Sequence, residues 1–285
     1  MRHPKGREGS MGRSDDIFNN LMVVRGAGDL ATAIIIRLHN SGFKVIALDI
    51  EKPTVIRRTV SFAQAIFDGQ TEVEGVAAKL VGMEDVEDAL AKDFIPVVVD
   101  PDGKTIEKMR PTVVVDAIIA KRNLGTNKAM APFTVALGPG FKAGTGDDCD
   151  VDCVIETTRG HRLARLIYEG CAEPNTGIPG NIGGYTVERV IHSPCAGLFR
   201  SCSRIGDVVH KGDVIAHVGD AEVRAKIDGM IRGLLQDGLC VPDHFKIADI
   251  DPRGDQADYL TCSDKARALS GSVLEAVLHY LSGNN

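Results

Sequence analysis

Apolar and polar positions alternate along this chain in blocks, and the first block is the clearest. Met22-Val-Val is an apolar run that ends in a glycine turn, Gly26-Ala-Gly28. A segment with helical spacing follows from Ala33 to Asn40. A second apolar run, Val45-Ile-Ala-Leu48, ends in Asp49, about 20 positions beyond Gly28. Further continuous apolar runs, Pro96–Val99, Val113–Ile119, Thr134–Leu137 and Val151–Ile155, read as buried strands. Between and after them, Ser61–Phe67, Glu84–Ala91, Ile106–Met109 and Leu163–Tyr168 read as helical pieces. Strands that are apolar throughout and alternate with helices predict a parallel sheet covered on both faces.

The pattern changes near Ile191. Short runs are separated by turns at Gly197, Gly206-Asp207, Lys211-Gly-Asp213, Gly219-Asp220, Asp228-Gly229 and Asp237-Gly238. That spacing predicts a small all-β unit. Its runs are similar to the first half of a biotinyl or lipoyl carrier, a barrel-sandwich hybrid, but the acceptor hairpin is missing. Apolar Val218 stands where the acceptor lysine would fall. From Asp264 to Leu281, apolar residues at Ala266, Leu269, Val273, Leu274, Val277 and Leu281 define one helical face. The expected organisation is an unstructured extension over 1–20, a Rossmann-like α/β domain over 21–185, a barrel-sandwich-like β module over 186–262 and a C-terminal helix over 263–285.

Composition narrows the picture. The 285 residues carry a net charge of −6 and no Trp, which argues against general nucleic-acid binding. No apolar run reaches the roughly 18 residues needed to span a bilayer, and no secretory apolar region is present. Seven scattered cysteines fit a reduced, cytoplasmic setting better than a disulfide frame. Cys149 and Cys153 lack a metal-ligand spacing, so no metal site is expected.

Candidate chemistry collects at the strand ends. Gly26 permits a tight turn, Gly28 lets backbone approach a phosphate, and the following helix offers free N–H groups. Asp29 falls where a helix N-cap or first-turn residue is expected; as a cap it would compete with a phosphate, and Arg25 is near enough to offset its charge. Asp49 is placed to accept hydrogen bonds from ribose hydroxyls. Arg57 and Arg58 follow in a loop, where paired arginines suit phosphate. Lys121, Asn123, Gly125 and Thr126 follow the Val113–Ile119 strand, and Gly138 and Gly140 follow the next. Glu156, Thr157, Arg159 and His161 follow Val151–Ile155. Ligands of open α/β sheets lie outside the carboxyl ends of strands, so these loops predict one crevice for an anionic ligand. Glu156 and His161 are its plausible acid–base pair.

These motifs together resemble the YqeB family. The resemblance lies in Gly26-x-Gly-Asp-Leu-Ala-Thr32, Glu51-Lys-Pro53, Arg57-Arg-Thr-Val-Ser-Phe62, Glu74-Gly-Val76 and Val115-Asp-Ala117 with Lys121–Thr126. It continues through Leu137-Gly-Pro-Gly-Phe141, Val154-Ile-Glu-Thr157, Arg159-Gly-His161, Pro174–Gly180 and Asp249-Ile-Asp-Pro-Arg-Gly254. It runs over roughly residues 22–282. The resemblance implies an accessory or maturation factor for selenium-dependent molybdenum hydroxylases. Its small anionic cofactor would be a nucleotide or a molybdenum cofactor of the molybdopterin type, its partner a client hydroxylase, and a homo-oligomer is compatible with it. None of the matched motifs holds a cysteine, which favours a cofactor-binding chaperone over a cysteine-based selenium transferase. The alternative is an NAD(P)-dependent oxidoreductase, with Asp49 on the ribose and Glu156/His161 moving protons.

Overall fold

The computed structural model describes residues 17–177 and 180–283. In chain order the elements of the first unit are β1 (Leu21–Arg25), α1 (Asp29–Asn40), β2 (Lys44–Asp49), α2 (Gln64–Asp68), β3 (Gln70–Val73), β4 (Val76–Leu80), α3 (Val86–Ala89), β5 (Ile95–Val99), α4 (Lys104–Met109), β6 (Val113–Asp116), β7 (Phe133–Leu137), β8 (Lys142–Ala143), β9 (Cys153–Ile155), β10 (Leu166–Ile167) and β11 (Gly170–Cys171). The second unit holds β12 (Val190–His192), β13 (Gly197–Ser201), β14 (Val208–Val209), β15 (Val214–Val218), β16 (Ala221–Arg224), β17 (Gly229–Leu234), β18 (Cys240–Val241) and β19 (Lys246–Asp251). The last helix is α5 (Asp264–Leu281).

A mixed α/β fold results, centred on a nine-stranded sheet ordered β10-β9-β7-β6-β1-β2-β5-β4-β3. The strands from β9 to β4 pair in parallel, and antiparallel β10 and β3 close the two edges. From β1 the chain steps outward through β2 to β5, then returns to place β6 on the other side of β1. Strand order therefore reverses between β1 and β6, the place where open α/β sheets hold their ligands.

Both faces of the sheet are buried, which is why its strands are apolar throughout. Met22 and Val24 face one core with Ile34, Ile35 and Leu38 of α1. Val23 faces the other with Ile46, Val98 and Ile106. Among the described residues no α-helix connects β6 to β7 or β7 to β9, and the first connection holds only a short 3-10 turn, Lys128–Met130. Helix α5 covers that stretch instead, burying Leu269, Val273 and Val277 in the α1 core, and Tyr280 stacks on Phe133 at 4.7 Å. The second unit is thus inserted between the sheet and the helix that completes it.

That second unit has two four-stranded sheets, β12-β19-β17-β14 and β16-β15-β13-β18, all paired antiparallel. They share one core, including Phe199, Ile215, Val218, Ile231 and Ile250. Ile56, from the loop after β2, enters this core, and the N–H of Leu234 donates to its carbonyl. Fully buried Val218 presents nothing to a modifying enzyme. Intact-mass measurement of protein from cells making biotin and lipoate is expected to show no adduct.

Three sequence expectations need correction. The extension expected over 1–20 is packed by residue 17: Ile17 lies against the main core and Phe18 is 5.6 Å from Phe43, while residues 1–16 lie outside the described residues. The helix expected over Leu163–Tyr168 is absent, because Leu166 and Ile167 pair with Ile155 and Val154 and protect the edge of β9. The strand expected over Val113–Ile119 stops at Asp116, and Ile119 takes a positive φ of 59°. None of the helices in the described residues is long and apolar enough to cross a membrane.

Candidate functional site

The carboxyl ends of β1, β6, β7 and β9 lie side by side, and their loops touch in sequence. A Cβ at Gly26 would lie 2.9 Å from the carbonyl oxygen of Ala117. One at Gly140 would lie 2.6 Å from Arg122 Cα. Thr157 Oγ1 donates to the carbonyl of Gly138 at 2.8 Å. The four expected loops thus form one contiguous rim.

Gly26, at φ 101°, makes the turn, and Gly28 is the N-cap of α1. No side chain caps this helix. A Cβ at Gly28 would meet only Val55, at 3.9 Å, so the approach to the helix end is open. Of the two places open to Asp29, the structure takes the second: it is the first helical residue and not the cap, and its charge favours the positive helix end. Nor does Arg25 offset it. Arg57 Nη1 stands 3.9 Å from Asp29 Oδ2, and Arg25 turns the other way.

Asp49 is already engaged. Its Oδ2 accepts from Ala27 N–H at 2.7 Å and its Oδ1 from Ile50 N–H at 2.8 Å. Burial pushes its pKa up, against the pull of those two donors. The carboxylate therefore holds the glycine turn to β2 before any ligand arrives. An unaltered stability of Asp49→Ala, which the ribose role implies, is not expected. The substitution should lower unliganded stability by about 1–3 kcal/mol, because it orphans the Ala27 donor, and urea denaturation would measure it.

At the switch point Arg25 and Asp116 face each other across β1 and β6, nearly wholly buried. Thr126 joins them. It donates to Asp116 Oδ2 at 2.5 Å and accepts from Arg25 Nη1. Asn123 shapes the loop that carries Thr126: its Oδ1 accepts from the N–H groups of Gly125 and Thr126, and its Nδ2 donates to Asp150. Asn123 and Thr126 are thus occupied in building the rim. Lys121, at φ 62°, and Gly125, at φ 95°, are exposed on it.

Glu156 is corrected as an acid. It is buried, and its two oxygens accept from the N–H groups of Thr158 and Glu173, both at 2.7 Å. Burial raises its pKa, but those donors outweigh it and hold the carboxyl below its usual range. It therefore has no proton to give near neutrality. His161 is exposed and lines a small cavity with Glu156, Arg162 and Cys171, so the two residues are neighbours without forming an acid–base pair.

The adjacent arginines divide. Arg58 donates from Nε to the carbonyl of Leu234 at 2.8 Å and from Nη1 to Gln236, tying the sheet to the second unit. It is not a phosphate clamp. Arg57 is buried with its Nη2 on the carbonyl of Thr261 at 3.3 Å, and its Nε has no hydrogen-bond partner. Arg159 forms a two-pronged pair with Asp264, at 3.0 and 3.1 Å.

The chain is 55% identical over 261 residues to "Uncharacterized protein YqeB" of Escherichia coli (strain K12), an alignment that takes in 91% of this chain and 48% of that protein. The chain is similar to that protein over nearly all of its own length. It spans about half the length of that relative. No family model matches the chain. Among solved structures, the product-bound ectoine utilization protein EutE (DoeB) from Ruegeria pomeroyi is similar at 12% identity and a TM-score of 0.25, covering 81% of this chain and 85% of that one. An aspartoacylase family protein from Mesorhizobium loti is similar at 9% identity and a TM-score of 0.26, covering 81% and 84%. At these scores neither likeness informs the site.

Sequence reasoning missed one part of this protein. A cavity of about 530 Å³ lies where the sheet, the second unit and α5 meet, and Arg159, Arg232, Arg253 and Asp264 line it. Arg232 and Arg253 sit on and beside the β strands of the second unit, and neither is among the candidate site residues of the sequence. The one available signal was the cluster Asp249-Ile-Asp-Pro-Arg253, whose charges are dense for the end of a buried strand.

Proposed function

We propose that the protein binds a small anionic cofactor, a nucleotide or a molybdopterin-type molybdenum cofactor, at the carboxyl rim of its parallel sheet. Acting on that cofactor, it serves as an accessory or maturation factor for selenium-dependent molybdenum hydroxylases. The observation that carries the binding part is the uncapped N-terminus of α1, set behind a glycine turn at the point where strand order reverses. Free N–H groups, the helix dipole and a glycine N-cap form the general device for holding a phosphate. The maturation part rests on the motif resemblance alone.

In this reading the rim is a Rossmann-type ligand site. Asp29 beside the helix end disfavours a bare anion, and Arg57 partly neutralises it. Gly28 and the backbone of the first turn would contact the phosphate, and Lys121 and Gly125 would close over it. The second unit, of barrel-sandwich type without an acceptor lysine, would dock the client enzyme. The reading as an oxidoreductase loses Glu156 as a proton donor, because backbone donors engage both its oxygens, and keeps only the exposed His161.

Purified protein titrated by calorimetry with ATP, with NAD(H) and with molybdenum cofactor tests the proposal. At least one should bind. Gly28→Ala should weaken that ligand by about tenfold or more. It should cost only about 0.5–1 kcal/mol of unliganded stability, since φ at this position is −67° and the space is open. Unchanged affinity in Gly28→Ala would remove the ligand from the glycine turn.

A further inference from the structure

We propose that the cavity between the sheet, the second unit and α5 is an oxyanion site for a phosphate or diphosphate group. It rests on side chains of the seam and not on the glycine turn. Arg159, Arg232 and Arg253 reach the cavity from three separate parts of the fold, and Ser263 and Asp264 bring the N-terminus of α5 to its wall. Arginines arriving from different directions suit a tetrahedral anion, which offers acceptors on several sides, better than a planar carboxylate.

Two guanidinium groups in this seam have unspent donors. Arg232, its side chain 12% exposed, stands 4.0 Å from Asp249 and 3.8 Å from Asp251, and its Nε donates to nothing. Arg57, 7% exposed behind the Thr261 wall, likewise has a buried Nε without an acceptor. A buried guanidinium N–H without an acceptor is uncommon and costly. The nearby carboxylates do not remove the deficit, because stronger partners hold them. Asp251 is bound in two prongs by Arg253, Asp249 is hydrogen-bonded by Arg189, and Asp264 is held by Arg159. The cations also crowd one another. Burial lowers the pKa of Arg57 and Arg232 lowers it further; burial lowers that of Lys265, beside the cavity on α5, and Arg159 adds to the effect. A bound oxyanion would relieve both the crowding and the missing acceptors.

Inorganic pyrophosphate, titrated calorimetrically into the full chain at low ionic strength, is the direct probe. Binding is expected and should weaken with added salt. Arg253→Gln and Arg159→Gln change half-exposed side chains on the cavity wall, and each should weaken pyrophosphate by about tenfold or more. Because Arg253→Gln leaves buried Asp251 with only the residue 253 N–H and nearby Arg232, circular dichroism checks its folding and Arg159→Gln carries the test if it fails. Arg232→Ala should weaken it further, with far-ultraviolet circular dichroism reporting its folding. Arg224→Gln, on an exposed strand away from the cavity, should bind as the parent does. Gly28→Ala separates two sources of the phosphate. If pyrophosphate binding survives it and ATP does not compete, the seam takes a free anion. If ATP competes, and both Gly28→Ala and Arg253→Gln weaken ATP, the seam holds the phosphate end of the cofactor on the glycine turn. Absence of pyrophosphate binding, undiminished binding in both Arg253→Gln and Arg159→Gln, or an equal loss in Arg224→Gln would overturn the proposal. A Gly28→Ala failure with intact pyrophosphate binding leaves this site standing and bears only on the glycine turn.

Discussion

Asp116→Ala is expected to lower the unfolding free energy by about 3 kcal/mol or more, because it strands a buried charge. Arg25 is 4% exposed and Asp116 1%, in register on neighbouring central strands. Thr126 bridges them, donating to the carboxylate and accepting from the guanidinium. Without Asp116, Arg25 keeps only the carbonyls of Pro101 at 3.2 Å and Leu124 at 3.4 Å and the Thr126 hydroxyl. No anion would then balance it. Replacing both partners with apolar residues, Arg25→Met with Asp116→Leu, should recover much of the loss, since the unpaired charge goes with them. Urea denaturation of the three variants checks this. A loss under about 1 kcal/mol in Asp116→Ala would show that the pair does little for stability. The double variant has a second use. It leaves the glycine turn in place, so its ligand affinity reports whether Arg25 matters beyond folding.

Gly26→Ala should be comparably damaging, by about 3 kcal/mol, for a steric reason. The residue sits at φ 101°, where an L side chain is strained. The new Cβ would lie 2.9 Å from Ala117 O, 3.0 Å from Ala117 C and 3.1 Å from Ile118 N. All three are backbone atoms, and Ala117 N–H is bonded to the carbonyl of Arg25 at 2.8 Å. The rim cannot yield without opening the junction of β1 and β6. Gly125→Ala makes the useful contrast, because that glycine also has positive φ, at 95°, but nothing lies within 4 Å. It should cost only about 1 kcal/mol, from backbone strain alone. Thermal and urea unfolding of the two variants would separate strain from collision, and similar losses in both would remove the steric argument.

Much of the first unit was legible because its signals are local. The continuous apolar strands state that both sheet faces are buried, and the glycine turn between Val24 and Ala31 states where the first strand gives way to a helix. Turn residues at short intervals after Ile191 marked the all-β unit for the same reason. Short-range ambiguity explains the local errors. Leu163–Tyr168 has apolar positions compatible with either a helix or an edge strand, and only the exposed side of β9 selected the strand.

The roles of the candidate site residues were far less legible, because a side chain's chemistry depends on what the fold puts opposite it. Asp49 at the end of β2 suits a ribose or a backbone N–H equally, and the closeness of Ala27 decided. Glu156 and His161 read as an acid–base pair until the donors of Thr158 and Glu173 claimed the carboxylate. Adjacent Arg57 and Arg58 look equivalent, yet one reaches Leu234 and the other Thr261.

By itself, then, the sequence determined the layered parallel sheet, the glycine turn against the first helix and the separate β unit, since periodicity and glycine conformations act over a few residues. Tertiary structure alone decided that α5 returns to cover the β7 and β9 stretch, and that Arg57, Arg159, Arg232 and Arg253 share one seam. Those four arginines come from the loop after β2, the loop after β9 and the paired strands β17 and β19 with the turn that follows, and no local pattern couples the three regions. They meet only because the β unit is inserted before the helix that completes the sheet's core, so burial of Leu269, Val273 and Val277 draws the chain back.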